Sequence, residues 1–404
     1  MAINRINHAS MRSNNSKAVL DAIRFSDGIS RKALASQIGL TAAAITNIVN
    51  ALLEEGYIVE KGELQSNASG RRQIELAINP AFCYEIGVEL SASKIICLLA
   101  DFSTHILAKK IVPISKEASV DAIVGLITST IDNVIRDSGV SRDAVRGIGL
   151  ATPGPYDLNA GTMINPPNLK SFSNIPIRDI IQQKTGFPVE FEHHMAAAGF
   201  CEAWMGDAKD SKCMFLCSVL DVGIAGSALI DGKIFHGFCN GSGEIGHMII
   251  EPNGELCTCG NRGCLEPLAD ARALIHRVRQ AVQQEASVLE RLGVDSADAI
   301  TLDLIIERGE AGDPLCELEL KKCAQYVAIA LSNIIMILSP DTIVLSGDLP
   351  DKSALYVREI IQYIRNRPYP SHNRKIKIYN TRFKRDISAL GGIAIVLNEI
   401  SEKL

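Results

Sequence analysis

Three cysteines within eight residues, Cys257, Cys259 and Cys264, place the tightest constraint on how this chain folds. They follow the segment Gly243-Glu244-Ile245-Gly246-His247 by ten positions. One imidazole and three thiolates are the ligand set of a closed structural Zn2+ site. With all four positions taken by protein, such a site braces a fold and does not hydrolyse anything. Gly260, Asn261 and Gly263 supply the turn that brings Cys264 back toward Cys257 and Cys259. Most of the other cysteines stand singly in apolar surroundings, as Cys83, Cys97, Cys217 and Cys323 do, and read as small buried hydrophobes.

The remaining totals set the scale. A chain of 404 residues implies two or three folding units. Aromatic residues make up only 5%, so the core is expected to be aliphatic, which suits an α/β protein with Val/Ile/Leu strands. The polar start MAINRINHASMRSNNSK lacks the apolar stretch of a signal peptide. The apolar run near Tyr326 to Leu338 is broken by Ser332 and Asn333 and reads as a buried helix. These features predict a cytoplasmic protein, in which thiols stay reduced. The net charge of -5 excludes a protein that coats nucleic acid throughout, but residues 1–80 carry +2 against -7 for the rest. That asymmetry has the sign a DNA-binding head requires.

The first eighty residues carry a helix-turn-helix pattern. Asn15 to Phe25 is amphipathic, with Val19, Leu20 and Ile23 on one face. Ser30 is placed to cap a helix over Arg31 to Ile38, which Gly39-Leu40 stops. Thr41 opens a second helix with Ile45, Ile48, Val49, Leu52 and Leu53 inward, and Gly56 ends it. Ala35 at the packing point and Gly39 in the turn have the spacing that a tight helix pair needs. Strands over 57–61 and 71–78 then make a wing, with Arg71 and Arg72 suited to phosphate or minor-groove contact. Thr41, Thr46, Asn47 and Asn50 face outward, where Asn can pair with adenine and Thr can touch a thymine methyl. No Arg or Lys lies between residues 41 and 53. Phosphate affinity must then come from the arm (Arg5, Arg12, Lys17), from Arg31 and Lys32, from the wing, and from dimerisation.

From Cys83 the texture becomes α/β. Strands are expected over 84–90 and 94–101, a long helix over 120–138, and a strand into a turn over 145–154. One further strand and turn is expected over 219–230, and a late strand over 342–345. This order fits two related α/β lobes with a cleft between them. The boundaries read as 1–80 for the winged head, 81–195 for the first lobe, and 196–404 for a second lobe with the zinc site and oligomerisation helices.

Five segments together resemble the ROK family of bacterial sugar kinases and sugar-responsive repressors. They are Ala151-Thr152-Pro153-Gly154-Pro155, Asn165-Pro166-Pro167-Asn168-Leu169, the Glu244-x-Gly-His247 segment, Cys257-x-Cys-Gly-x-x-Gly-Cys264-Leu-Glu266, and Ala389-Leu390-Gly391-Gly392. The resemblance implies a winged helix-turn-helix followed by a two-lobed actin-like, sugar-kinase-like fold. It also implies that Asn168, His194, Glu244, His247 and Glu266 form the sugar pocket. Glu244 and Glu266 have the alternative role of supporting the zinc ligands.

The same resemblance shows departures from the kinase pattern. His193-His194 stands where family kinases carry Asn-Asp, whose Asp is the general base. Glu89-Leu90-Ser91-Ala92-Ser93 stands where they carry a Gly-Gly phosphate turn, and Asp221 sits in the second phosphate loop. No catalytic residue is therefore expected. The head places the chain with the repressor branch. The expected partners are an operator in double-stranded DNA, a sugar or phosphosugar effector, a second copy in a homodimer or homotetramer, and possibly a sugar-transporter component. The alternative is a sugar kinase that also carries a DNA-binding head.

Overall fold

The computed structural model describes residues 8–26, 28–63, 73–115, 117–166, 169–284, 287–369 and 374–404. Two compact units emerge. One comprises Met1–Gly154, Leu158–Glu192 and Ala389–Leu404, and the other Pro155–Asp157 and His193–Ser388.

The first unit begins with α1 (His8–Arg24), α2 (Arg31–Ile38) and α3 (Ala42–Glu54). Ser30 accepts a hydrogen bond from the Ala33 amide at 3.3 Å, and Thr41 from the Ala44 amide at 3.2 Å. Each such cap is worth about 1 kcal/mol. Gly39 takes the left-handed conformation that ends α2, at φ 77°, and returns its N–H to the Ala35 carbonyl. Val19, Leu20, Leu34, Ile45, Val49 and Leu52 form the buried centre of the three helices. The wing is β1 (Ile58–Glu63) antiparallel to β2 (Ile74–Ile78), and Ile58 and Leu76 close the core from that side.

The head packs into the same unit as the lobe that follows it. The Arg24 guanidinium donates to the Phe102 carbonyl and lies 4.3 Å from the centre of that ring. Tyr57, Phe82 and Phe102 stack in sequence, with centroids 4.3 and 4.9 Å apart. Residues 1–80 therefore do not separate as a compact unit, because apolar and cationic groups on both sides of the expected boundary are buried against each other.

The first lobe is built on β3 (Tyr84–Leu90), β4 (Lys94–Asp101), β5 (Ile106–Pro113), α4 (Val120–Ser138) and β6 (Val145–Thr152). The short strands β7 (Tyr156–Asp157) and β8 (Thr162–Met163) follow, then α5 (Ile177–Thr185) and β9 (Val189–His193). The sheet order is β5-β4-β3-β6-β9, with β3 and β6 parallel.

The second unit runs from α6 (His194–Met205) through β10 (Cys213–Val219), β11 (Ile224–Ile230) and β12 (Lys233–Ile234). Its helices are α7 (Leu265–Ala269), α8 (Ala271–Gln284), α9 (Ser287–Leu292), α10 (Leu302–Glu310) and the 25-residue α11 (Pro314–Leu338). After β13 (Thr342–Ser346) come α12 (Asp348–Lys352), α13 (Ala354–Asn366) and β14 (Lys377–Asn380). The sheet order is β12-β11-β10-β13-β14. The stretch 219–230, expected as one strand and turn, is instead the hairpin end of β10 and the whole of β11, which run antiparallel. The apolar run at Tyr326 to Leu338 belongs to α11, where Val327, Leu331 and Ile335 are buried in the core of this unit.

The last helix, α14 (Ile387–Glu402), returns to the first unit from Ala389 onward, whereas the sequence placed it with the second lobe. Two glycines explain the return. A Cβ on Gly87 would stand 1.9 Å from the Ala389 carbonyl oxygen, and one on Gly149 would stand 2.1 Å from that of Gly392. The backbone of α14 thus lies directly on β3 and β6, and only glycine at those positions allows it.

Candidate functional site

Two sites emerge, one in each unit. On the head, α3 turns Ala43, Thr46, Asn47 and Asn50 to solvent while Ile45, Val49 and Leu52 are buried. Spacing of three and four residues puts the exposed side chains on one face. The Thr46 hydroxyl donates to the Ala42 carbonyl at 2.8 Å, which turns its methyl group outward. Thr41 is engaged as the cap of α3. Arg31 is paired with Glu60 at 2.8 Å and reaches Asn50 Oδ1 at 3.5 Å, so it ties α2 to both α3 and the wing. Lys32 is exposed. Lys17, expected in an N-terminal arm, lies instead within α1 and is held by Asn398 Oδ1 at 2.7 Å and Glu402 at 3.0 Å. Arg71 and Arg72 lie outside the described residues.

In the second unit, His247, Cys257, Cys259 and Cys264 converge, with all ligand atoms within 4.8 Å of one another. Cys257 Sγ lies 3.6 Å from His247 Nδ1, and Cys259 Sγ lies 3.7 Å from Cys264 Sγ. A tetrahedron with bonds of about 2.3 Å to sulfur and about 2.0 Å to nitrogen has edges of about 3.5 to 3.8 Å. The cluster thus has the size of a four-coordinate metal site. Gly263, at φ 73°, makes the fold-back possible, since a Cβ there would collide with the Glu251 carbonyl oxygen at 1.5 Å. Glu251 in turn accepts from the Tyr326 hydroxyl at 2.5 Å, which fastens the loop to α11.

The other nitrogen of the same imidazole points elsewhere. His247 Nε2 lies 4.0 Å from Glu244 Oε2. Glu266 joins them. Its carboxylate lies against Gly223 and Gly246 and is bridged by Arg272 at 3.4 Å. Burial raises the carboxyls of both Glu244 and Glu266, while the nearby His247 lowers both. Glu266 is largely withdrawn from solvent, and a ligand hydroxyl donating to it would replace lost water, whereas Glu244 remains exposed. Glu244, His247 and Glu266 are therefore brought together as expected. Asn168 lies outside the described residues.

His193 and His194 stand at the start of α6, both buried. His193 stacks on Tyr156 with centroids 5.3 Å apart, and His194 meets it edge-on at 4.7 Å. Desolvation pushes His194 down to about 4, and it pushes His193 well below the usual imidazole range, with His194 and His236 adding to the effect. Both rings are thus neutral at pH 7. Protonation favours the unfolded chain, whose imidazoles titrate near 6.5. Stability is then complete above about pH 6.5 and falls as the pH drops toward 4, by up to about 1.4 kcal/mol per pH unit for each ring. Urea unfolding at stepped pH should show a smaller acid loss for His194→Gln than for the parent. Equal losses would show that His194 does not control the acid limb.

Sequence reasoning missed four residues here. Tyr156 stacks on His193, Arg272 bridges Glu266 and Asp270, and two carboxylates occupy the turn between β10 and β11. Asp348 accepts from the Asp221 amide at 2.9 Å, and Asp270 accepts from the Gly223 amide at 3.4 Å. The only local signal was Gly347 beside Asp348 in a strand-ending turn.

The family model described as the ROK family matches residues 85–399. The chain belongs to the ROK family. A second model, described as winged helix-turn-helix DNA-binding, matches residues 12–59. The ROK chain is 28% identical to a xylose repressor of Caldicellulosiruptor bescii over 98% of each chain. It shares its fold with a ROK family transcriptional regulator described as a homologue of the E. coli Mlc protein, at TM-score 0.79, 23% identity and 97% coverage of each chain. Its body is also similar to a ROK hexokinase from Thermus thermophilus, at TM-score 0.63 and 26% identity, over 78% of this chain and 99% of that one. The kinase match leaves out about the length of the head, whereas the regulator match includes it.

Proposed function

We propose that this ROK protein is a sequence-specific DNA-binding repressor of sugar-metabolism genes, relieved by a sugar or phosphosugar. The observation that carries the proposal is the exposed, cation-free face of α3, with Thr46, Asn47 and Asn50, on a winged head in the same chain as the Glu244–His247–Glu266 cluster. The xylose repressor that is 28% identical along the whole chain supports the same reading and puts pentoses first among effectors. Asn168 and His194 complete the proposed pocket. Arg31, Lys32, Arg71 and Arg72 supply phosphate contacts, and Thr41 borders the base-reading face. The operator is read by a homodimer or homotetramer, whose two-fold symmetry sets half-sites one or two helical turns apart.

Zn2+ is the proposed metal of the His247–Cys257–Cys259–Cys264 cluster. It would act structurally, holding the loop that carries His247 and leads into Glu266. The protein's own residues then do the binding. Glu244 and Glu266 accept from ligand hydroxyls, and His247 is fixed in one tautomer by the thiolate side.

Phosphoryl transfer is disfavoured by the chain's own acceptors. Asp348 and Asp270 take the amides of the β10–β11 turn that a phosphate would otherwise receive. The turn between β3 and β4 is closed by Ser91, whose hydroxyl donates to the Lys94 carbonyl at 2.9 Å. The competing reading, a sugar kinase with a DNA-binding head, draws on the similarity to the hexokinase.

Gel shifts on the gene's own upstream region at low salt should show a complex that a pentose or hexose, or its phosphate, dissolves. The ligand that dissolves it should raise the thermal midpoint of the wild type and leave a Glu244→Gln, Glu266→Gln variant unmoved. Absence of any complex would sink the repressor reading. Release by a transporter component alone would transfer the effector role to a protein. Sugar phosphate formed with ATP and magnesium would restore the kinase.

A further inference from the structure

The strongest charge feature of the molecule lies outside both sites. Residues 358–385 carry nine Lys and Arg against a single acid, Glu359, in a chain whose net charge is -5; of the nine, Arg382 is paired with Asp207 and Arg385 with Asp348. Arg358, Arg365, Arg367, Arg374, Lys375 and Lys377 are all exposed, along α13, the segment after it, and the start of the edge strand β14. None of the six has an acidic partner among the described residues. Glu359 is itself engaged by the Gln325 amide at 3.2 Å. Arg358 and Arg365 border a groove floored by Val357 and Ile361 and ended by Asn380.

Several other cations of the second unit are neutralised. Arg272 pairs with Asp270, Arg277 with Glu319, Arg291 with Asp313, and Lys352 with Asp303. Like charges about 10 Å apart in water repel by about 0.4 kcal/mol per pair, so a row of six is held together at a cost. A lysine on an edge strand also discourages strand pairing, which accounts for Lys377 but not for Lys375 before the strand or the arginines of α13.

We infer that this basic face is a second DNA-contacting surface, which takes the phosphate backbone of a duplex without reading its bases. The inference rests on the DNA-binding reading of the head. A polyanion is the complement of six unpaired cations, and a duplex is the polyanion the head already brings. On the head, α3 has no Lys or Arg, Arg31 is paired with Glu60, and Lys17 is held by Asn398 and Glu402, while Lys32 is exposed. Phosphate contacts on a second surface would add to those of Lys32 and the wing.

Counterion release gives the test. Each phosphate contact contributes about 0.9 to the slope of log affinity against log salt, about 3.5-fold between 50 and 200 mM. The full-length protein is titrated with a random-sequence 60-base-pair duplex across that range. Arg358→Gln with Arg365→Gln, and separately Arg374→Gln, Lys375→Gln and Lys377→Gln, are compared with the parent. Lys209→Gln with Lys233→Gln, exposed cations elsewhere on the same unit, serves as the control for net charge. The expected result is a slope shallower by about 2 for the first variant and by up to about 3 for the second, with the control unchanged. Thermal midpoints equal to the parent's would confirm intact folding. Binding by the parent with an unchanged slope in both variants overturns the inference, as does an equal change in the control. Anionic vesicles or an acidic protein captured by this face without any slope change would assign it to a different partner and reject the duplex. If the parent binds no duplex at all, the reading of the head fails first.

Discussion

If the His247–Cys257–Cys259–Cys264 cluster holds the proposed Zn2+, chelation is expected to unfold this loop and to lower the thermal midpoint of the second unit by about 10 °C. The magnitude follows from the site. Zinc bound to a closed four-ligand site contributes roughly 10 to 16 kcal/mol of apparent free energy in small peptides, much of it as folding energy. Even a third of that, about 4 kcal/mol, shifts a unit of this size by about 8 to 16 °C. Without the ion, Cys257 and Cys264 are buried thiols whose partners are other members of the cluster, His247 Nδ1 at 3.6 Å from Cys257 and Cys259 at 3.7 Å from Cys264. Burial and the neighbouring thiols push the Cys264 thiol up to about 12, so metal loading must displace its proton. Affinity should accordingly fall as the pH is lowered. Cys264→Ser should copy the effect of the chelator, whereas Cys97→Ser, a lone buried thiol, should cost far less. Calorimetry with and without chelator, alongside elemental analysis for zinc, reads the outcome. A single transition that the chelator leaves in place would remove the metal from the account. So would a protein that carries no zinc.

The loss should also reach the ligand pocket. His247 offers Nδ1 to the cluster and Nε2 to Glu244, and the metal loop leads through Cys264 into Glu266 on α7. Metal and effector are then linked through one imidazole, and the metal-free protein should show no effector-induced stabilisation.

What was legible in the sequence was local. Ser30, Gly39 and Thr41 announce the ends of α2 and α3 because a cap is decided within four residues. The cysteine spacing announces the convergence of Cys257, Cys259 and Cys264 with His247 for the same reason. What was not legible depends on residues far apart in the chain. Nothing near Gly87 or Gly149 indicates that their missing Cβ atoms make room for Ala389 and Gly392. Nor does the sequence around Asp221 show that Asp348 will accept its amide across 127 positions. Arg24 reads as an ordinary residue at the end of an amphipathic helix until Phe102 is seen beneath it. That contact crosses the boundary read at residue 80. A composition change marks where the architecture changes, not where contacts stop.

Substituting Asn47 and Asn50 together by Ala is expected to abolish discrimination between operator and random DNA while leaving the salt dependence of binding intact. A side-chain amide on a base edge is worth about 1 to 3 kcal/mol of discrimination. In a two-fold assembly each substitution acts at two half-sites, so the pair should cost the operator at least about 100-fold in affinity. Random-sequence affinity, which comes from phosphate contacts, should change little. The two residues are not equivalent. Asn47 is exposed, whereas Asn50 offers its carbonyl oxygen to Arg31 at 3.5 Å. Asn47 can therefore both donate to and accept from an adenine edge, while Asn50 held by Arg31 is left with its amide donors. Asn47→Ala should accordingly relax preference at an adenine, and Asn50→Ala at a position presenting acceptors, such as guanine. Lys32→Gln is the contrasting case. It should weaken all sequences alike and reduce the salt slope by about 0.9 per protomer, about 1.8 for a two-fold assembly. A binding selection on random duplexes, run on parent and variants, separates the two behaviours. If both asparagine variants recover the parent's consensus, α3 does not read the bases. Specificity would then have to come from the wing or from the shape of the DNA.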